Sequence, residues 1–129
     1  MGAEGSKMLS KAKPVAFVAT VDGARARAFY EGVLGLRVIE DQPFALVLDA
    51  LGTKIRVQKV ERVAHTSYTA LGWEVSDIVE TVRALAGKGV AFARYPGMQQ
   101  DELGIWTTPG GAKVAWFEDP DGNVLSVTG

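Results

Sequence analysis

The sequence predicts an α+β fold: two βαβββ modules whose strands form a curved, cup-shaped mixed sheet with the helices outside. Three observations predict it. A strand–helix–strand order occurs twice, an Asp stands where the helix of each copy begins, and Asp and Gly turn residues precede the last strand of each copy.

The first strand is Val15 to Thr20, short and apolar. Asp22 follows as an N-cap, its carboxylate able to accept from the free amides of the next turn. Gly23 to Leu34 reads as a helix with Ala24, Ala28, Phe29 and Val33 on its apolar stripe, and Gly35 closes it in the left-handed conformation. Three strands follow, Leu36 to Glu40, Phe44 to Asp49 and Thr53 to Val60. In the last, Ile55 and Val57 alternate with Lys54, Arg56 and Gln58.

The second copy runs from a strand at Ala70 to Val75, through the N-cap Asp77, to a helix at Ile78 to Ala86 that uses Ile78, Val79, Val82 and Leu85. Gly87 and Gly89 end that helix. A strand is expected at Val90 to Tyr95, then a long loop through Met98 to Glu102, and an extended piece at Ile105 to Thr108. Lys113 to Glu118 and Val124 to Thr128 form a hairpin around Asp119-Pro120-Asp121-Gly122, where Pro presets one dihedral and Gly permits a positive one. Val15 to Asp22 aligns with Ala70 to Asp77, and Leu48 to Val57 with Glu118 to Val127. Residues 1–13 are then an N-terminal tail and 14–129 one domain, with module one at 14–60, a linker at 61–69 and module two at 70–129. Each module has a helix on one sheet face only, so the opposite faces can curl into a shared cup.

The composition is that of a globular chain: 129 residues, 47% hydrophobic and 22% charged. A formal net charge of −1 gives no pull toward nucleic acid or anionic membrane. No apolar run is long enough to span a bilayer, and Met1 to Pro14 lacks the apolar core of a secretory signal. With no cysteine there are no disulfides, thiol nucleophiles or thiolate metal sites, and a cytoplasmic setting is expected. There is no Ser/His/Asp set and no phosphate-cradling glycine loop.

Phe29-Tyr30 followed by Val33-Leu34-Gly35-Leu36 resembles the FY…VLG signature of the vicinal oxygen chelate superfamily. Phe117-Glu118-Asp119-Pro120-Asp121-Gly122-Asn123 resembles its F-x-D-P-D-G-N hairpin. The resemblance covers nearly all of the chain after Pro14. That superfamily includes glyoxalase I, extradiol dioxygenases, methylmalonyl-CoA epimerase, fosfomycin-modifying enzymes and antibiotic-sequestering proteins of the bleomycin-resistance kind. Both motifs shape the backbone and neither performs chemistry, so neither names a reaction.

In the superfamily's enzymes, His, Glu or Gln side chains on the first and last strands of each module hold a divalent metal. The resemblance carries those positions onto Val15, Arg56, Ala70 and Ser126. Val15 and Ala70 have no donor atom, Arg56 is a permanent cation, and Ser126 is a weak donor. No metal and no other cofactor is therefore expected. His65, the single histidine, falls in the linker and reads as a solvated residue.

Ligand-binding residues are sought on the face opposite the helices. Arg56, with Lys54 and Gln58, offers a planar fork of donors to an anionic or carbonyl-rich molecule, or else pairs with Glu74 on the same face. Phe17 shares that face with Val15, and core packing is its competing explanation. Tyr95 and Trp106 flank the long loop, where rings can clamp a flat ligand. Trp73 points at the helices, while the face of Trp116 is open. The Met98 to Glu102 loop is either a lid or a dimer contact. Asp119 and Asp121 are explained by turn geometry.

Three functions compete at this point. One is a metal-independent protein that sequesters or senses a small anionic or aromatic molecule through Phe17, Arg56, Gln58, Glu74, Tyr95 and Trp106. Another is a lyase or isomerase with Glu74 as base and Arg56 as stabilising cation. The third is a dimeric structural or partner-binding module. A small-molecule ligand and a homodimer are the expected partners, with no nucleic acid and no membrane.

Overall fold

The computed structural model describes residues 8–129. Of the tail expected over residues 1–13, positions 1–7 lie outside the described residues, and Met8–Lys11 form a 3₁₀ turn. Eight strands follow: β1 (Val15–Thr20), β2 (Arg37–Asp41), β3 (Ala45–Ala50), β4 (Thr53–Lys59), β5 (Leu71–Glu74), β6 (Trp106–Thr107), β7 (Lys113–Glu118) and β8 (Val124–Thr128). They make two four-stranded mixed sheets, ordered β1-β4-β3-β2 and β5-β8-β7-β6.

The two sheets are built alike. In each, the first strand pairs in parallel with the last, and the remaining neighbours are antiparallel. Phe17 lies opposite Arg56 in the first sheet as Gly72 lies opposite Ser126 in the second. The two pairs occupy equivalent places under the internal alignment, so the repeat extends to hydrogen-bond register. β1 and β5 touch, which brings the sheets edge to edge in the cup arrangement.

Two helices cover one side. Helix α1 begins at Gly23–Arg27, where the carboxylate of Asp22 accepts from the amide of Arg25 at 3.1 Å. It continues as a π-helix over Ala28–Val33, with the amide of Leu34 donating to the carbonyl of Phe29. Helix α2 (Ile78–Gly87) starts the same way, with Asp77 accepting from the amide of Glu80 at 3.1 Å.

Burial on the helices differs from the expected stripes. In α1, Ala26 and Tyr30 are buried while Ala24 and Ala28 are exposed. Tyr30 fills the core with its ring and reaches a carboxylate of the second module, and the turn from Ala28 onward is a π-helix, which breaks the 3.6-residue stripe. In α2, Ile78 and Val82 are buried and Leu85 is partly so, whereas Val79 stands about 100° off their stripe and is exposed.

The strand expected at Val90 to Tyr95 does not form. One backbone bond among the described residues, from the amide of Ala93 to the carbonyl of Trp116, ties this stretch to the sheet. β6 takes only the start of that edge of β7, pairing with Lys113 and Val114.

A single core lies between sheets and helices. Ile55 and Val57 of β4 and Leu46 and Leu48 of β3 meet Phe117, Leu125 and Val127 of the second sheet, with Tyr30 and Val82 from the helices. Trp73 packs against this cluster, as its strand parity predicts. The opposite, concave faces hold every sequence-predicted site residue that lies on a strand.

Candidate functional site

Strand register turns the concave face into rows of neighbouring side chains. In the first sheet one row reads Val15, Lys54, Asp49, Arg37, and the next Phe17, Arg56, Val47. Gln58 continues the face beside Ala19 and Ala45. Phe17 remains 52% exposed, so it is not a core residue. Arg56 is half-buried, and among the described residues its side chain makes no hydrogen bond and no ion pair.

In the second sheet the rows are Gly72, Ser126, Trp116 and Glu74, Thr128, Val114, Trp106. Trp116 therefore faces the concave side. Its neighbours Ala115 and Phe117 are both buried in the core, and that alternation was the available signal in the sequence. Trp116 joins two sequence-predicted residues into one aromatic cluster. Its ring centroid is 5.5 Å from that of Tyr95, edge to face, and 6.1 Å from that of Trp106 at a 32° tilt.

The loop between Tyr95 and Trp106 is fastened from inside. The Gln100 side chain accepts from the Tyr95 amide at 2.8 Å and donates to the carbonyls of Ala93 and Gly104. Arg94 donates to the carbonyls of Asp101 and Glu102, and Asp101 accepts from the amides of Leu103 and Ile105. These bonds fix the two ends of the loop, and with them the spacing of Tyr95 and Trp106.

Arg56 and Glu74 are not brought together as an ion pair among the described residues. Arg56 belongs to the first sheet. Glu74 lies exposed at one end of the second, in a hollow it shares with Ser76, Ala112 and Thr128.

The FY and DPDGN motifs meet across the module boundary, which the sequence did not disclose. The Tyr30 hydroxyl donates to Asp119 Oδ2 at 2.6 Å, and burial together with the Asp119 charge holds the phenol well above its ordinary pKa. Asp119 also accepts from the amides of Asp121 and Asn123 and from the Asn123 side chain. Asp121 accepts from the Thr20 hydroxyl at 2.5 Å, the Val21 amide at 2.9 Å and Arg25 at 3.1 Å. Asn123 donates to the Ala19 carbonyl at 2.8 Å. The two aspartates do more than shape a turn: they join the second module to the β1–α1 corner of the first. His65 is exposed, and its ring lies against Gly122 of this turn.

The four positions that the superfamily uses for a metal do not suit one here. Val15 and Ala70 are hydrocarbon, Arg56 is cationic, and Ser126 offers one weak donor. No group of three His, Asp or Glu side chains among the described residues is placed to share a metal ion.

A family model described as the Glyoxalase/Bleomycin resistance protein/Dioxygenase superfamily matches residues 13–127. No curated protein matches the chain. Among solved structures it is similar to a lactoylglutathione lyase from Agrobacterium tumefaciens, with 14% identity, TM-score 0.71, and 92% of each chain covered. A glyoxalase family protein from Enterococcus faecalis is 21% identical with TM-score 0.69, over 95% of this chain and 99% of that one. A member of the same superfamily from Sphaerobacter thermophilus is 22% identical with TM-score 0.67, over 89% and 95%. At these identities the likeness carries the fold and no activity.

Proposed function

The chain belongs to the Glyoxalase/Bleomycin resistance protein/Dioxygenase superfamily, and from that premise we propose that it is a metal-independent binder of a small anionic or aromatic molecule. The observation that carries this reading is Arg56, a fixed cation with no protein partner among the described residues, standing where the resemblance puts a metal ligand. A guanidinium there repels a metal ion and attracts the oxygens that a metal would have held. The cluster of Tyr95, Trp116 and Trp106 supports an aromatic component in the ligand.

A lyase or isomerase using Glu74 and Arg56 would need both side chains to converge on one molecule. Glu74 lies exposed at the end of its sheet, in a hollow whose lining does not include Arg56, so binding without turnover is the preferred reading.

The experiment is a thermal-shift screen of small acids and aromatic compounds, followed by calorimetry on variants. Losing a charge-assisted contact costs about 1.5–3 kcal/mol, roughly a tenfold to hundredfold loss of affinity. Arg56→Ala should show that loss with the fold intact, and Arg56→Lys should recover part of it. Unchanged affinity in Arg56→Ala refutes the role given to Arg56. Stoichiometric metal, retained after purification without chelator and lost from a Ser126→Ala variant, refutes metal independence.

A further inference from the structure

A cavity of about 370 Å³ opens on the concave face of the first sheet, lined by Lys13, Pro14, Val15, Ile39, Asp49, Gly52 and Lys54. Its volume lies within the roughly 300–1,000 Å³ of small-molecule sites. Val15 and Lys54 are register partners on β1 and β4, and Asp49 is the next residue of that row. Ile39 joins them because the β2–β3 register shifts between Val38 and Glu40, an irregularity that gives β2 an extra residue there.

The charges around this cavity are unequal. Asp49 is already engaged, its Oδ1 accepting from the Gly52 amide at 3.2 Å and its Oδ2 facing Arg37 at 3.8 Å. Lys13 and Lys54 have no hydrogen bond or ion pair from their ammonium groups among the described residues. Arg56 stands two residues beyond Lys54 on the same face, about 6.6 Å along the strand. Two lysines with no hydrogen bond or ion pair of their own among the described residues thus line the cavity beside Pro14, Val15 and Ile39. A cationic ligand would be repelled, and a bare inorganic anion would leave the apolar wall unused.

We propose that this cavity seats a small organic carboxylate, its charged end between Lys13 and Lys54 and its compact apolar body against Pro14, Val15 and Ile39. The inference rests on the concave-face reading above and locates the ligand within that face. Arg56 is a neighbouring cation for a second oxygen of the same molecule.

Calorimetry at low salt with benzoate, benzyl alcohol and inorganic phosphate tests it on the full chain. Benzoate should bind saturably, and benzyl alcohol, of similar shape but uncharged, should bind at least tenfold more weakly. Phosphate should also be weaker, since it brings no apolar body. Partly solvated ion contacts are individually modest, so the double variant Lys13→Met/Lys54→Met should weaken benzoate roughly tenfold. Val15→Trp should abolish binding by filling the cavity, and both variants should melt close to the parent. Benzoate bound equally by parent and double variant overturns the proposal, as does phosphate binding as tightly as benzoate. If Arg56→Ala loses benzoate and the lysine variant does not, the seat is wrong and concave-face binding stands. No saturable benzoate binding also overturns the seat, and the thermal-shift screen then judges the wider reading by itself.

Discussion

Replacing Tyr30 with Phe removes one hydroxyl from the junction between the modules and leaves the ring that fills the core. The hydroxyl is wholly buried and donates to Asp119 Oδ2 at 2.6 Å. Losing a hydrogen bond to a charged group costs about 1.5–3 kcal/mol. The carboxylate is not orphaned, because the amides of Asp121 and Asn123 and the Asn123 side chain still donate to it. The lower part of that range therefore applies, about 1.5–2 kcal/mol. With an unfolding entropy near 2.1 cal/mol/K per residue, 129 residues give about 0.27 kcal/mol/K, so Tm should fall by about 5–8 °C. The pH dependence adds a second readout. The folded phenol titrates well above the unfolded value near 10, so its contribution is complete below pH ~10 and is lost as pH rises further. Urea denaturation at intervals between neutral pH and pH ~11 should show a gap between parent and Tyr30→Phe that narrows above pH ~10 by up to about 1.4 kcal/mol per pH unit. A gap below about 0.5 kcal/mol at neutral pH, or one that is flat through the alkaline range, refutes the reasoning.

Three further outcomes are expected. Leu51 is fully exposed at φ 52° beside Gly52 at φ 88°, a turn that favours Asn-Gly, so Leu51→Asn should stabilise by about 0.5–1 kcal/mol in denaturant titrations. A Cβ on Gly72 would meet Ser126 Oγ at 2.6 Å, so Gly72→Ala should cost about 1–3 kcal/mol, and adding Ser126→Ala should restore most of it in a double-mutant cycle. We also propose a homodimer, on the superfamily resemblance and because two helices cover only one side of the two sheets. Sedimentation velocity should return the dimer mass, and a monomer at every working concentration refutes it.

Much of this architecture is readable from local chemistry, and the unread parts depend on distant partners. The alternation of Ile55 and Val57 with Lys54 and Arg56 assigns β4 its two faces, because a strand turns successive side chains to opposite sides. Asp22 and Asp77 mark both helix starts, since a cap is a contact over three residues. The rotation of α1 is another matter. It goes with a π-helical turn and with a Tyr30 that is buried and bonded to a carboxylate 89 positions away, neither of which a 3.6-residue period encodes. Val90 to Tyr95 has strand-like composition, yet one backbone bond among the described residues ties it to β7, and composition alone does not supply the partner a strand needs. Lys13 is not legible as a site residue, because nothing in the sequence before β1 tells that this stretch lines the concave face.

The charge pattern of the concave face also bears on turnover. In a metal-holding relative the protein supplies electron-pair donors and the ion supplies concentrated positive charge. Here the donor positions are Val15, Ala70, Ser126 and Arg56, and the positive charge belongs to the protein, spread over Arg56, Lys54 and Lys13. Spread charge on long side chains can still hold an oxygen anion, because binding needs only complementary sign and hydrogen-bond donors. It polarises a carbonyl far less than a divalent ion at about 2 Å. Proton transfer would also require a base beside the cations, and Glu74 lies at the end of β5, in a hollow that none of these three residues lines. Under the proposed function, this face would grip an anionic oxygen rather than activate a carbonyl.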